Sequence, residues 1–420
     1  MGPKREQVVR MAAAKYLTRT LTPVLRRVAR EFPSVVLTGP RQSGKTTLVR
    51  RIFGATHRYC NLDDPELREQ ARRDPRLFLD RFPPPLILDE IQYAPDLLSY
   101  IKMDIDEHRS RRGRYILAGS QVFPLMQGVT ESLAGRVAVL HLLSLSLREA
   151  AGSPDEAAAW RALLFPASAP APTGSPARIA QIILRGGYPE LSVSRRTDAR
   201  LWHSSYVSTY LERDVRSLRS VGDLGDFQRF LVALASRTSS LINLEDISRD
   251  LGVTGKTIKA WISVLEASGQ VHVLRPFFEN IGKRLVKRPK IYFQDTGTLG
   301  FLLRLSEADQ VLAGMSAGPL FEAAVFGQIL RLLQHRGEPV RLGFWRTAAG
   351  HEVDFVVEDG RRLIPIEAKA TATPTRMDAR GIEEFQSLFG ERAERGLLVC
   401  LCRERFPLTR TVDAVPFGSF

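Results

Sequence analysis

The run Pro33-Ser34-Val35-Val36-Leu37-Thr38-Gly39-Pro40-Arg41-Gln42-Ser43-Gly44-Lys45-Thr46-Thr47 decides how this chain is read. A short β-branched stretch ends in glycine, G-x-x-x-x-G-K-T follows, and Thr47, Leu48, Val49 and Arg50 can open a helix. Strand, small loop and helix in that order make a phosphate-binding loop. Gly39 and Gly44 let backbone amides turn toward phosphate oxygens, with Pro40, Arg41, Gln42 and Ser43 between them. Lys45 brings a mobile positive charge, Thr46 offers Mg²⁺ a hydroxyl, and Thr47 stands in the first helical turn, where anions sit favourably. The expected cofactors are ATP and Mg²⁺.

Working outward, a buried strand Leu86-Ile87-Leu88 runs into Asp89-Glu90. ATP hydrolysis needs such a pair beside a phosphate loop: Asp89 to hold Mg²⁺ through water, Glu90 to orient and polarise the attacking water. A further strand, Tyr115 to Ala118, ends in Gly119-Ser120, where Ser120 is the expected γ-phosphate sensor. Arg136 follows a small turn and either reaches a neighbouring subunit's γ-phosphate or is an ion-paired side chain.

The 420 residues exceed one core and imply several domains. A net charge of +14 favours a polyanionic partner such as nucleic acid. Only ten of the sixty basic residues are lysines, and five of those lie between Lys256 and Lys290, so that cluster is local information. Three cysteines without metal-ligand spacing argue against a zinc site and for reduced thiols in a cytoplasmic protein. Neither a signal sequence nor an apolar run of membrane-spanning length is read, so no membrane association is expected.

Together, Gly39 to Thr46, Asn61-Leu62-Asp63-Asp64-Pro65, Leu88-Asp89-Glu90-Ile91-Gln92, Gly119-Ser120, Leu133-Ala134-Gly135-Arg136-Val137, Gly186-Gly187-Tyr188-Pro189-Glu190 and the run 210–215 resemble AAA+ superfamily ATPases of bacteria and archaea with an uncharacterised C-terminal domain. The resemblance implies an AAA-type α/β fold and ATP use. Expected units are a helical lead-in (1–32), the P-loop ATPase core (33–150), an Ala/Pro-rich linker or insertion (151–177), a helical lid (178–240), a winged helix-turn-helix (241–300) and a nuclease-like domain (301–420).

Leu244 to Leu251, the turn Gly252-Val253 and Thr254 to Leu265 have helix-turn-helix order, and two strands after them form a wing. Lys256, Thr257 and Lys259 lie where recognition helices meet DNA. Lys283, Arg284, Lys287, Arg288 and Lys290 load the wing hairpin with charge suited to phosphate contacts.

After Pro319 the order helix, three strands, helix, strand resembles restriction-endonuclease-like PD-(D/E)XK nucleases. Asp354 lies in the second strand, and Glu367-Ala368-Lys369 ends the third. Strand alternation puts Glu367 and Lys369 on one face, a carboxylate for metal and an ammonium for the attacking water or the phosphorane. Asp354 and Glu367, with Glu322 as a further ligand, are the expected Mg²⁺ or Mn²⁺ set. The sequence thus implies an ATP-hydrolysing homo-oligomer, as in a ring, that binds branched, flapped or single-stranded DNA and cuts it in processing, repair or defence. The alternative is a nucleotide-controlled DNA- or protein-binding switch whose nuclease-like domain does not cleave.

Overall fold

The computed structural model describes residues 16–120, 133–154, 161, 164–165, 174–211, 224–277, 288–347 and 350–419. The phosphate-loop strand β1 (Ser34–Thr38) is the second-last member of a parallel sheet that also holds β2 (Arg58–Asn61), β3 (Leu86–Asp89), β4 (Tyr115–Gly119) and β5 (Val137–His141), in the order β2-β3-β4-β1-β5. Both faces are covered. Val35, Leu37, Ile87 and Ile116 pack toward the helices Thr22–Glu31 and Lys45–Phe53, while Val36, Leu88 and Leu117 pack toward Leu97–Glu107. This period-2 alternation of apolar side chains, buried on either side, is what a parallel sheet between helical layers demands. It brings the carboxyl ends of β1, β3 and β4 to one edge, where the polar residues after each strand meet.

Of the helical lead-in, helix Thr22–Glu31 is present, with Leu21, Leu25 and Val28 buried and Leu17 and Val24 half-buried; residues 1–15 lie outside the described part. Between 151 and 177 the expected linker is partly a docked segment. Arg161 pairs with Asp359 at 2.6 Å and Glu394 at 2.7 Å, Arg405 donates to the Leu164 carbonyl, and Leu164 is buried.

Beyond it, Tyr188 packs against Trp202 and Tyr206 with ring centroids 4.7 and 4.9 Å apart, so these aromatics serve as core. The helices Leu244–Leu251 and Gly255–Ala267 follow, joined at Gly252 and capped by Asn243 and Thr254, then the antiparallel pair β6 (Val271–Leu274) and β7 (Lys290–Phe293). The last sheet runs β12-β13-β11-β10-β9-β8, built from β8 (Leu342–Arg346), β9 (Glu352–Asp359), β10 (Arg362–Lys369), β11 (Gly396–Cys400), β12 (Phe406–Pro407) and β13 (Val412–Pro416). Helix Ala317–Gln334 covers one face against Ile366, Leu397 and Val399; Arg380–Phe389 covers the other against Leu398 and Cys400. The helix, three strands, helix and strand expected after Pro319 are therefore present in that order, and β12 and β13 follow them.

A buried polar cluster fastens these layers. Arg19 donates to the Ser43 carbonyl at 2.8 Å and the Leu143 carbonyl at 2.7 Å, and lies 3.3 Å from Glu149, which is fully buried. His335, at the end of helix Ala317–Gln334, accepts from the Leu143 amide through Nε2, so its proton is on Nδ1, facing Glu149 at 3.3 Å. Glu149→Gln leaves the Arg19 charge buried without its counter-ion and should cost about 3–5 kcal/mol. Thermal denaturation checks this, with a Tm unchanged from wild type as the contrary result.

Candidate nucleotide site and acidic cleft

The phosphate loop owes its shape to two glycines and one strained residue. Gly39 has φ 147°, and a Cβ there would lie 2.1 Å from the Leu142 carbonyl oxygen; Gly44 has φ 93° and Gln42 φ 59°. Lys45 is buried and donates to the Gly39 and Pro40 carbonyls at 3.0 and 2.8 Å. The Ser43 and Thr38 hydroxyls are buried with no partner among the described residues. Buried donors beside a tight loop that Gly39 lets fold against the Leu142 carbonyl fit the phosphates of a nucleotide.

Thr46 donates to Asp89 Oδ2 at 2.6 Å, and the Tyr59 hydroxyl donates to the same oxygen at 2.9 Å. Burial, then the charge of Asp89, raises the Tyr59 pKa, so its proton stays in place. Thr46 and Asp89 are the residues that would hold Mg²⁺. Glu90 stands at φ 55° and accepts from Ser120 at 3.0 Å and from Gln92 on the same oxygen. Ser120 thus tethers the Glu90 carboxylate. Arg136 is paired within the chain, its Nε and Nη2 donating to Asp106 at 2.7 and 3.0 Å.

Distant parts of the chain close over the loop. The Tyr206 hydroxyl reaches the Arg41 carbonyl at 3.5 Å and accepts from Gln270 at 2.8 Å. Gly269, at φ 69°, lets the turn after helix Gly255–Ala267 approach Pro40; a Cβ there would lie 3.1 Å from the proline ring.

In the C-terminal sheet, Glu322, Asp354 and Glu367 do come together, in a polar cleft of about 570 Å³. Asp354 accepts from the Ala368 amide at 3.0 Å, its own amide donates to Glu367 at 3.2 Å, and Lys369 pairs with Glu367 at 2.9 Å. A lysine lies among them. Lys290, expected on a charged surface hairpin, is 3 % exposed, and its Nζ lies 2.6 Å from Glu352, 2.9 Å from Glu322 and 3.4 Å from Asp354. Tyr292 also donates to Glu322, at 2.5 Å. Burial opposes the Lys290 charge, but Glu322, Asp354 and Glu352 outweigh it and raise the pKa. Burial, then Asp354, pushes both Glu322 and Glu367 up to about 8. Among the described residues no group of three His, Cys, Asp or Glu side chains is placed to hold a metal ion. The residues as placed do not fit the expected Mg²⁺ or Mn²⁺ site: Lys290 pairs with Glu322 and Asp354, and Lys369 with Glu367, so each expected ligand already faces an ammonium.

Of the other DNA candidates, Lys256, Lys259 and Arg288 are exposed, and Thr257 gives its amide to the Thr254 cap. Lys283, Arg284 and Lys287 lie outside the described residues.

These strands, the loop and the Asp89-Glu90 pair define a P-loop ATPase of the AAA type. Residues 31–151 match the family model described as AAA domain; 177–309 and 317–420 match two domains of unknown function, DUF8612 and DUF4143. Two curated relatives, Uncharacterized protein Mb2031c of Mycobacterium bovis and Uncharacterized protein Rv2008c of Mycobacterium tuberculosis, are each 32% identical over 394 residues, 93% of this chain and 82% of theirs. The chain belongs to their family. It is also similar to the Walker-type ATPase PABY2304 of Pyrococcus abyssi at 14% identity, covering 67% of this chain and 94% of that one with a TM-score of 0.42. Among the described residues no helix is long and apolar enough to cross a membrane.

Sequence reading missed Tyr59, Glu352, Tyr206 and Gln270. Glu352 had a signal, since it shares a strand face with Asp354 two residues on. Tyr59 had only its place on β2 beside β3. Because its hydroxyl fixes the Asp89 oxygen that also meets Thr46, Tyr59→Phe should raise the Mg²⁺ concentration for half-maximal ATP turnover about tenfold. A Mg²⁺ titration at saturating ATP measures it, with turnover at saturating Mg²⁺ nearly unchanged.

Proposed function

We propose that this chain is an ATP-hydrolysing, DNA-binding switch of the AAA type whose C-terminal nuclease-like domain does not cleave. The hydrolytic part is carried by the Thr46–Asp89 hydrogen bond beside Glu90. Mg²⁺ bound there would neutralise phosphate charge. Lys45 supplies positive charge to the phosphates, Asp89 orients the Thr46 hydroxyl, and Glu90 receives a proton from the attacking water once it leaves Ser120 and Gln92. Arg136 would have to leave Asp106 before it could serve a neighbouring subunit in an oligomer.

DNA binding is supported by exposed Lys256 and Lys259 at the start of the second helix of a helix-turn-helix, by Arg288, and by the net charge of +14. Such contacts are to phosphates and carry little sequence preference. The winged-helix and restriction-endonuclease-like assignments rest on element order and residue placement. One observation favours the non-cutting reading over the nuclease: the Lys290 ammonium among the carboxylates that would bind metal.

Glu90→Gln should keep ATP affinity within about threefold and lower turnover about 10²- to 10⁴-fold, as loss of a general base does. Calorimetric binding and phosphate release measure the two, and full turnover in the variant would remove Glu90 from the chemistry. Wild-type protein on single-stranded, duplex, flapped and forked DNA with Mg²⁺ or Mn²⁺ should show DNA-stimulated ATPase and no cuts. Cuts abolished by Asp354→Ala would restore the nuclease reading.

A further inference from the structure

We infer that Lys290 is a built-in cation that closes a latent divalent-metal site in the acidic cleft, so that the cleft binds Mn²⁺ only when that ammonium is removed. The inference rests on the non-cutting reading above and says what enforces it.

Geometry carries it. Three carboxylates, Glu322 from the long helix and Glu352 and Asp354 from β9, reach one Nζ within 3.4 Å. As they stand, these acids are spaced for the ammonium and not for a metal ion, but carboxylate oxygens gathered around one buried positive charge are the donors that hard, oxygen-preferring cations also select. Lys290 does not belong to the element that supplies any of these acids. It comes from β7, and its backbone is fixed on both sides: β7 pairs with β6 through Leu274 opposite Lys290, and Leu241 bridges Lys290 from the other side. The Ile242 amide donates to the Pro289 carbonyl at 2.8 Å and the Ser239 amide to the Ile291 carbonyl at 3.0 Å, holding the residues on either side of Lys290. The side chain is 4% exposed, with its Nζ 5.6 Å from the Phe344 ring centroid. An ammonium anchored this firmly competes with an incoming ion at the ion's own position, and like-charge repulsion at that range excludes a second cation.

The cleft is otherwise suited to the ion. It opens to solvent past Gly350, Met377 and Arg380, so access is not what prevents loading. Removing the ammonium leaves the Glu352 and Asp354 charges beside Glu322 without the cation that pairs with them, which destabilises the fold until another cation replaces it.

The test compares nucleotide-free full-length wild type, Lys290→Met, Lys290→Arg and the double variant Lys290→Met/Asp354→Asn. Mn²⁺ binding is read by electron paramagnetic resonance and thermal denaturation. Wild type and Lys290→Arg should show no Mn²⁺ site that depends on Asp354. Lys290→Met should unfold at a lower temperature than wild type, recover with added Mn²⁺, and bind one additional ion at least about tenfold tighter than any cleft binding in wild type. The double variant should lose that ion. If Lys290→Met is insoluble alone, its recovery in Mn²⁺ is the same readout. A wild-type Mn²⁺ site abolished by Asp354→Asn overturns the inference, as does Lys290→Met gaining no ion or keeping it in the double variant. DNA cutting by wild type would instead sink the non-cutting reading, while absence of cutting together with absence of a gained ion sinks only this inference.

Discussion

Glu149 is a carboxylate removed from water, and the geometry around it follows from the need to compensate that charge. Arg19 supplies the counter-ion, His335 faces it with a ring proton, and the Thr20 amide donates to it at 2.7 Å. Burial works against its ionisation, and His335, Arg19 and the Ser146 amide outweigh that, holding the carboxyl well below its usual range. The other two guanidinium nitrogens of Arg19, Nη1 and Nη2, donate to the carbonyls of Ser43 and Leu143. One satisfied charge therefore fixes the back of the phosphate loop, the segment leaving β5 and the end of the long C-terminal helix. A buried ionic network of this kind positions more than it stabilises, because its gain is largely consumed by desolvation.

The acidic cleft repeats the principle with the signs exchanged. There the buried cation is central and the carboxylates surround it. Both clusters draw their members from elements far apart in sequence, 129 positions between Thr20 and Glu149 and 64 between Lys290 and Asp354. Each joins layers that local propensity alone would leave independent. The phosphate loop is also bounded by Tyr206, Gln270 and Gly269, so the nucleotide site and the turn after helix Gly255–Ala267 share a boundary of direct contacts.

What was legible in the sequence was whatever is encoded locally. The β-branched run, the two glycines and Lys45-Thr46 give β1, its loop and its helix, because strand, turn and helix each have a short-range signature. Asp89 and Glu90 were legible as an acidic end to a buried strand, and the elements after Pro319 as alternating periods. Lys290 was misplaced because a lysine near other cations reads as solvated surface; that three acids from 32 to 64 positions downstream would enclose it has no local trace. Tyr206 and Gln270 were hidden for the same reason. The stretch 151–177 looked like a spacer by composition, and only its ionic contacts through Arg161 show part of it to be seated.

The apolar core has one further consequence. Among the described residues, one continuous cluster between Leu143 and Phe417 holds Ile258 and Trp261 of helix Gly255–Ala267, Phe293 of β7 and Phe326 of the long helix. The matched segments 177–309 and 317–420 meet inside that cluster and not at a solvated hinge. They are therefore not separate units of folding: a break at their junction would open an oily seam on both sides of it.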